Sequence, residues 1–540
     1  MGVSRVVGKG VLSGILLMAV GIGQAIACQA GPANEWMRGI EQQRQADLGN
    51  GCYLNPIIAG DHPDPTIIKD GDDYYMTFSS FDDIPGLLIW HSRDLVNWEP
   101  LSPAITTPVD AIWAPDLVKY NDKYYIYFTT NRIIDAKGTK KKTLYVITAD
   151  DIHGPWTPPK DTGLKNPASD PGHVVGEDGK RYIFMSGGNR VQLTDDGLST
   201  VGEMAVVYQG WQYPEEWDVE SFSQEGPKML RHGDYFYMVL AEGGTAGPPT
   251  GHMVIAARSK SINGPWENSP HNPIIRTQDR SEKWWSRGHA TLIEGPDKNW
   301  YMVYHGYENG FMTLGRQAML EPIVWGDDGW FTSAGFDTGK PIRKPEGGEA
   351  VPHGIGWSDS FTDEKFPARW HFYRANAEEL KRVTLSEGKL HLKAKGTSPK
   401  DSAPLTMIPG DQAYQIEVTA NFSPGAQAGL LLFYNAKLYV GLSFNQDGTV
   451  MHRYGLERAE KKLPHITGNE VQILMKNDRH IVTFYTRTSD QEPWKKYPVQ
   501  MEVSGYHHNV AYDFLSLRPA LYASGEGDVT FSNLRYQALP

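Results

Sequence analysis

Five aromatic segments recur along the first two-thirds of the chain, and their spacing limits the fold more than any other feature. They are Asp73–Phe78, Lys123–Phe128, Lys180–Met185, Tyr235–Leu240 and Asn299–Tyr304, with register tyrosines Tyr75, Tyr125, Tyr182, Tyr237 and Tyr301 lying 50, 57, 55 and 64 residues apart. A repeat of this length, made of strand-like aromatic runs between Gly, Asp and Asn turns, predicts a β-propeller of four-stranded blades. Upstream of each tyrosine stands a chemically capable residue: Asp64, Asp116, Asp170, Glu225 and His289, at 11, 9, 12, 12 and 12 residues. On the innermost strand of each blade these five would converge on one central channel. A weaker repeat, Ser92–Trp98, Asp150–Trp156 and Lys260–Trp266, reads as turns in which a Trp covers the outer strands.

The remaining sequence divides around this core. Residues 1–27 have the form of an export signal: Arg5 and Lys9, an apolar run from Val11, and an Ala25-Ile26-Ala27 cleavage site. Export to the periplasm, cell envelope or extracellular space is the expectation. Residues 28–53 are polar and read as a tether, 54–343 as the propeller and 344–357, rich in Gly, Pro, Lys and Glu, as a linker. From 358 to 540 short alternating strands such as Lys389–Lys393, Gln415–Thr419 and Val471–Met475 predict an all-β sandwich. The two cysteines, Cys28 and Cys52, leave two arrangements open: one disulfide, or a lipidated Cys28 that anchors the chain to a membrane. A net charge of −12 argues against nucleic acid as a partner. The 16 Trp and 27 Tyr suit sugar recognition, because a sugar's C–H face packs on an aromatic ring.

Asp64 sits between Pro63 and Pro65, which present its carboxylate rigidly at a strand start, and Glu225 precedes Gly226-Pro227, which interrupt the ladder. Glycoside hydrolysis needs two carboxyl groups flanking the scissile bond, and a third carboxylate near the acid raises its pKa. Three acids in one channel fit that scheme. The run Asn55–Thr66, with Ile112–Leu117, Gln224–Pro227 and Leu314–Gln317, resembles glycoside hydrolase family 43 over roughly residues 54–335. The C-terminal domain is similar to the sandwich of its β-xylosidase-type members.

The resemblance implies Asp64 as general base, Glu225 as general acid and Asp116 as the residue that tunes and orients the acid. It further implies Trp113 and Phe81 as walls of the sugar subsite and Arg316 as a donor to sugar hydroxyls. His289 matches a channel histidine that holds a calcium ion through water in many members; no cofactor is otherwise required. Asp170 is read as the third blade's channel residue without a catalytic role. Trp284-Trp285-Ser286 is unusually aromatic and would reshape the subsite.

The expected function is an exported, inverting exo-glycosidase acting on the β-1,4 bonds of xylo-oligosaccharides or arabinose-substituted xylan, with α-L-arabinofuranosidase side activity. The alternatives are an arabinofuranosidase or arabinanase on the same scaffold, and a non-catalytic glycan-binding propeller. Fructan hydrolase and sialidase signatures are absent from the sequence.

Overall fold

The computed structural model describes residue 28 and residues 35–133, 139–362, 366–458 and 466–540; residues 1–27, expected as an export signal, lie outside the described residues. Each aromatic run forms the second strand of an antiparallel sheet, four-stranded in blades I, II, III and V and five-stranded in blade IV. Blade I is Thr66–Asp70, Asp73–Thr77, Gly86–Ser92 and Glu99–Ile105, and blade II is Ala111–Tyr120, Lys123–Ile133, Lys140–Ala149 and Lys160–Asp161. Blade III is Gly172–Val175, Arg181–Met185, Asn189–Leu193 and Thr200–Val206. Blade IV begins with Gln224–His232, Tyr235–Glu242 and Met253–Ser259, and blade V with Trp284–Glu294, Trp300–Glu308 and Arg316–Trp325. The first strands contact one another in sequence, and that of blade V returns to that of blade I, closing a five-bladed ring.

The turns at Ser92–Trp98, Asp150–Trp156 and Lys260–Trp266 each follow a third strand, as expected. Trp98 is fully buried there, and its indole N–H donates to Leu95 O. Asn55 zips the chain start to blade V, its side chain bonding both the N–H and the C=O of Leu320.

The C-terminal domain is a sandwich of two antiparallel sheets. One is centred on Ala426–Asn435 and Arg518–Gly525, the other on Ala413–Phe422, Asp528–Ala538 and Glu470–Asp478. Burial alternates along Ala413–Phe422 and Glu470–Asp478, so every second side chain enters the core. The first sheet ends on a strand from the propeller: Asp83–Ile84, a loop of blade I, pairs with His371–Tyr373. A buried cluster runs without a break from blade I through Phe81 and Trp90 to Trp357, Trp370 and Met407 of the C-terminal half. The two domains therefore share sheet and core.

Residues expected as a tether are strapped into this junction. Arg44 is buried and pairs with Glu308 at 2.8 Å, while its backbone N–H donates to Asp411. Glu41 accepts the N–H groups of Trp357 and Ser358. The linker is held as firmly, with Lys344 paired to Asp47 and Asp94 at 2.6 and 2.7 Å. Cys28 and Cys52 form a disulfide, which takes up the Sγ that a lipid anchor on Cys28 would need.

Candidate active site

Strand pairing fixes which inner-strand residues lie level with one another. The register tyrosines Tyr75, Tyr125, Tyr182, Tyr237 and Tyr301 pair with Ile68, Val118, Val174, Leu230 and Ile293. Counting back four residues in each blade gives one ring: Asp64, Ala114, Asp170, Gly226 and His289. Asp64, Asp170, Gly226 and His289 all take left-handed φ of 58–60°. That conformation is uncommon for residues with a Cβ and turns the strand start towards the axis; such backbone is characteristic of functional sites. A β-bulge after Glu225 brings its carboxyl to the same level beside Gly226.

Asp64, Asp170, Glu225 and His289 line one pocket of about 250 Å³, together with Phe81, Trp113, Ala114, Glu220, Thr245 and Arg316. Four of the five converging residues expected from sequence therefore meet. Asp116 does not line this pocket. It occupies the next level, with Thr66, Gly172, Lys228 and Thr291, and its carboxylate accepts from Lys228 Nζ at 2.9 Å and from the His173 N–H at 2.7 Å. The reason lies in the interval of 9 residues to its tyrosine. Two residues fewer move a side chain one pleat along the same face of the strand.

Asp64 is locked as an anion. Its Oδ2 accepts the Ser79 hydroxyl at 2.5 Å and its Oδ1 the Arg316 guanidinium at 3.0 Å. Burial alone would raise its pKa, but the Arg316 guanidinium holds the carboxyl well below the usual range. His289 and His305 both lie 3.2 Å from Oδ1. They are polar contacts rather than ion pairs, because burial keeps both rings neutral: His289 is lowered to about 4 and His305 falls further below its ordinary value. His305 Nδ1 accepts the backbone N–H of Asp64 at 3.0 Å, which leaves the ring proton on Nε2, 3.2 Å from Thr245 Oγ1.

Glu225 is driven the other way. Burial first, then the charges of Asp170 and Asp64, push its pKa well above the ordinary value, against a smaller opposing pull from Arg316. Asp170 itself is raised to about 6, by burial and then by Asp64, while bonds from the Gly226 N–H and Ser186 Oγ favour its anion. The carboxylate acting on Glu225 is thus Asp170, where sequence reasoning had placed Asp116. One ionised and one protonated carboxyl group facing one pocket is the arrangement that acid–base cleavage of a glycosidic bond requires.

The pocket wall draws on both domains. Phe81 and Trp113, expected as subsite walls, both line the pocket, with ring centroids 6.1 Å apart. Phe514, from the sandwich, stacks 5.8 Å from Phe81 and 5.9 Å from Trp113 and packs on His508 at 4.2 Å. The Arg316 guanidinium sits over the rings of Phe81 and Phe514, and its second terminal nitrogen is buried without a protein partner, a donor free for a ligand hydroxyl. Asn509 clasps this sandwich loop to blade IV through both the N–H and C=O of Gly247. No residue pattern in the sequence singled out His508 or Phe514. Trp284, expected to reshape the subsite, is instead buried in the blade V core, where it donates to Thr338 O.

The residues present offer a calcium ion no set of direct side-chain ligands. Among the described residues no three His, Cys, Asp or Glu side chains converge as ligands. His289 turns its Nε2 to the space that a Cβ on Gly226 would fill, at 2.5 Å, rather than to open channel.

The fold and these carboxyl groups define a propeller glycosidase. Residues 53–331 match the model for glycosyl hydrolases family 43, and residues 358–537 match the beta xylosidase C-terminal concanavalin A-like domain. The chain belongs to glycosyl hydrolase family 43, whose β-xylosidases and α-L-arabinofuranosidases are among its relatives. It is 32% identical to a xylan 1,3-beta-xylosidase of a Vibrio species, over 52% of this chain and 57% of that protein. It is 31% identical to a non-reducing end alpha-L-arabinofuranosidase of Bacteroides ovatus, over 66% and 67%. The structure of the GH43 BlXynB protein of Bacillus licheniformis superposes with a TM-score of 0.79 at 26% identity, covering 90% of this chain and 100% of that one.

Proposed function

We propose that the protein is an exported, inverting exo-glycosidase that releases single β-1,4-linked xylose units from the ends of xylo-oligosaccharides. The observation that carries this reading is the small pocket built from both domains: the sandwich residues Phe514 and His508 help wall a space of about 250 Å³ around Asp64 and Glu225. That is below the roughly 300–1,000 Å³ of clefts that take larger ligands. Such a space suits one sugar ring, and a pocket rather than an open groove admits chain ends.

In this mechanism Glu225 gives its proton to the glycosidic oxygen as the C–O bond breaks. Asp64 takes a proton from the water that attacks the anomeric carbon from the opposite face. Asp170 keeps Glu225 protonated near neutral pH. Arg316 both holds Asp64 ionised and offers its free nitrogen to a sugar hydroxyl. Asp116, through Lys228, is a positioning residue below the catalytic ring.

Following xylobiose hydrolysis by proton NMR tests the reading, with Glu225→Gln as the blank. An initial excess of α-xylose over the α/β mixture released from the reducing end, relaxing only by mutarotation, is the expected result; an initial excess of β-xylose would overturn inversion. The arabinofuranosidase relative favours a second reading, in which α-L-arabinofuranosyl ends are the main substrate. A faster rate on an aryl α-L-arabinofuranoside than on the matching β-xyloside would establish it.

A further inference from the structure

The ring below the catalytic level is tied together by a buried ammonium. Lys228 leaves the inner strand of blade IV three residues after Glu225, and its side chain is only 5% exposed. Its Nζ donates to Pro115 O at 2.6 Å and Asp116 Oδ1 at 2.9 Å, both on blade II. Pro171 O on blade III, next to Asp170, lies at 3.5 Å. Thr66 Oγ1 of blade I reaches the same carboxylate oxygen of Asp116 at 3.3 Å, and Thr291 of blade V bonds Pro65 O at 2.9 Å. Gly172 completes the level because a Cβ there would stand 1.9 Å from Pro227 O. Oxygens from blade II and from the start of blade III thus converge on one positive charge.

Two carbonyls and a carboxylate around one buried point are the ligand types a hard cation takes from a protein. Here an ammonium occupies that point, and a metal ion entering would meet its like charge. We propose that the Lys228 ammonium is the resident cation of this channel: it joins blades II, III and IV beneath the catalytic carboxyls and leaves no place for a divalent ion. An uncharged side chain at 228 would expose Asp116 and the two carbonyls as a calcium site. Removing the Asp116 carboxylate as well would abolish that acquired site.

The melting temperature of the full mature chain reads this independently of the glycoside cleaved. Wild type is expected to melt at the same temperature in excess EDTA and in excess calcium, and to give no binding heat on calcium titration. Stoichiometric calcium binding, or a melting temperature that falls with EDTA and returns with calcium, would overturn the proposal. Lys228→Met keeps the length without the charge; it is expected to melt lower than wild type and to gain several degrees on adding calcium. The double variant Lys228→Met/Asp116→Asn is expected to ignore calcium. Should Lys228→Met fold only with calcium present, the proposal holds. Should it ignore calcium when folded, or fail to fold with or without the ion, or should the double variant respond, the ammonium's role is packing alone and the proposal fails.

Discussion

At the scale of residues, the site works by driving neighbouring carboxyl groups apart in acidity. Asp64 has a cation and a hydroxyl on its oxygens, whereas Glu225 has burial and two anions. Asp64→Asn and Glu225→Gln are each expected to cut turnover by about a hundred- to ten-thousandfold with the melting temperature preserved; kcat on an aryl xyloside and a thermal scan check both. Asp170→Asn removes a negative charge beside Glu225. The Glu225 anion is then less disfavoured, its pKa falls, and the alkaline limb of the kcat/KM profile moves to lower pH. Asp116→Asn touches the pocket only through Lys228 and should leave that limb in place, which separates the two aspartates directly.

Glu242 gives a stability prediction of the same kind. It is fully buried, its Oε2 has no partner, and burial raises its pKa to about 7. The folded state therefore holds a proton that the unfolded chain releases near pH 4.3. Stability from this group is complete below that value and is lost as pH rises through about 7. Glu242→Gln should raise the melting temperature at alkaline pH and change it little in acid.

At the scale of elements, the decisive piece is the sandwich loop that carries the helix His508–Ala511 and Phe514. The loop makes no bond to Asp64 or Glu225, yet its ring packs on Phe81, Trp113 and Arg316. Phe514→Ala removes a wall on which a sugar's C–H face would pack. It is expected to raise KM by about ten- to a hundredfold, the worth of one buried aromatic side chain, with a smaller effect on kcat. Initial-rate kinetics on xylobiose separate the two. An equal fall in kcat at unchanged KM would mean that the ring acts on the chemical step instead.

At the scale of the whole molecule, the domains are joined through charge as well as sheet. Arg518 of the sandwich pairs with Asp83 and Asp61 of the propeller, and Asp61 in turn accepts the backbone N–H of Arg316. A chain of bonds thus runs from the sandwich to the arginine that holds Asp64. Arg518→Met strands two buried carboxylates and is expected to cost about 3–5 kcal/mol, read from the denaturant midpoint. Expressed alone, the propeller would expose Trp357-facing core surface and the Asp83–Ile84 edge, and is expected to aggregate.

Much of this was legible in the sequence, because blades are built from local, repeated pattern. Strands alternate with a period of two, turns need Gly, Asp or Asn, and the recurrence of Tyr75, Tyr125, Tyr182, Tyr237 and Tyr301 reports sheets of the same kind. The positions of Asp64, Glu225 and Arg316 were legible through neighbouring prolines, glycines and family motifs. Even the level of Asp116 was encoded in its interval of 9 residues, although only pairing across the strands showed that two residues mean one pleat deeper.

The tertiary structure alone decided what depends on distance through space. It placed Asp170 beside Glu225, set the Lys228 ammonium against Asp116 of blade II, strapped Arg44 into the domain junction, and brought Phe514 across more than four hundred residues of chain to Phe81. A repeat fixes each strand against its neighbours in sequence. Which charges share a low-dielectric pocket, and which loop walls it, depends on how whole domains pack, and no local pattern carries that.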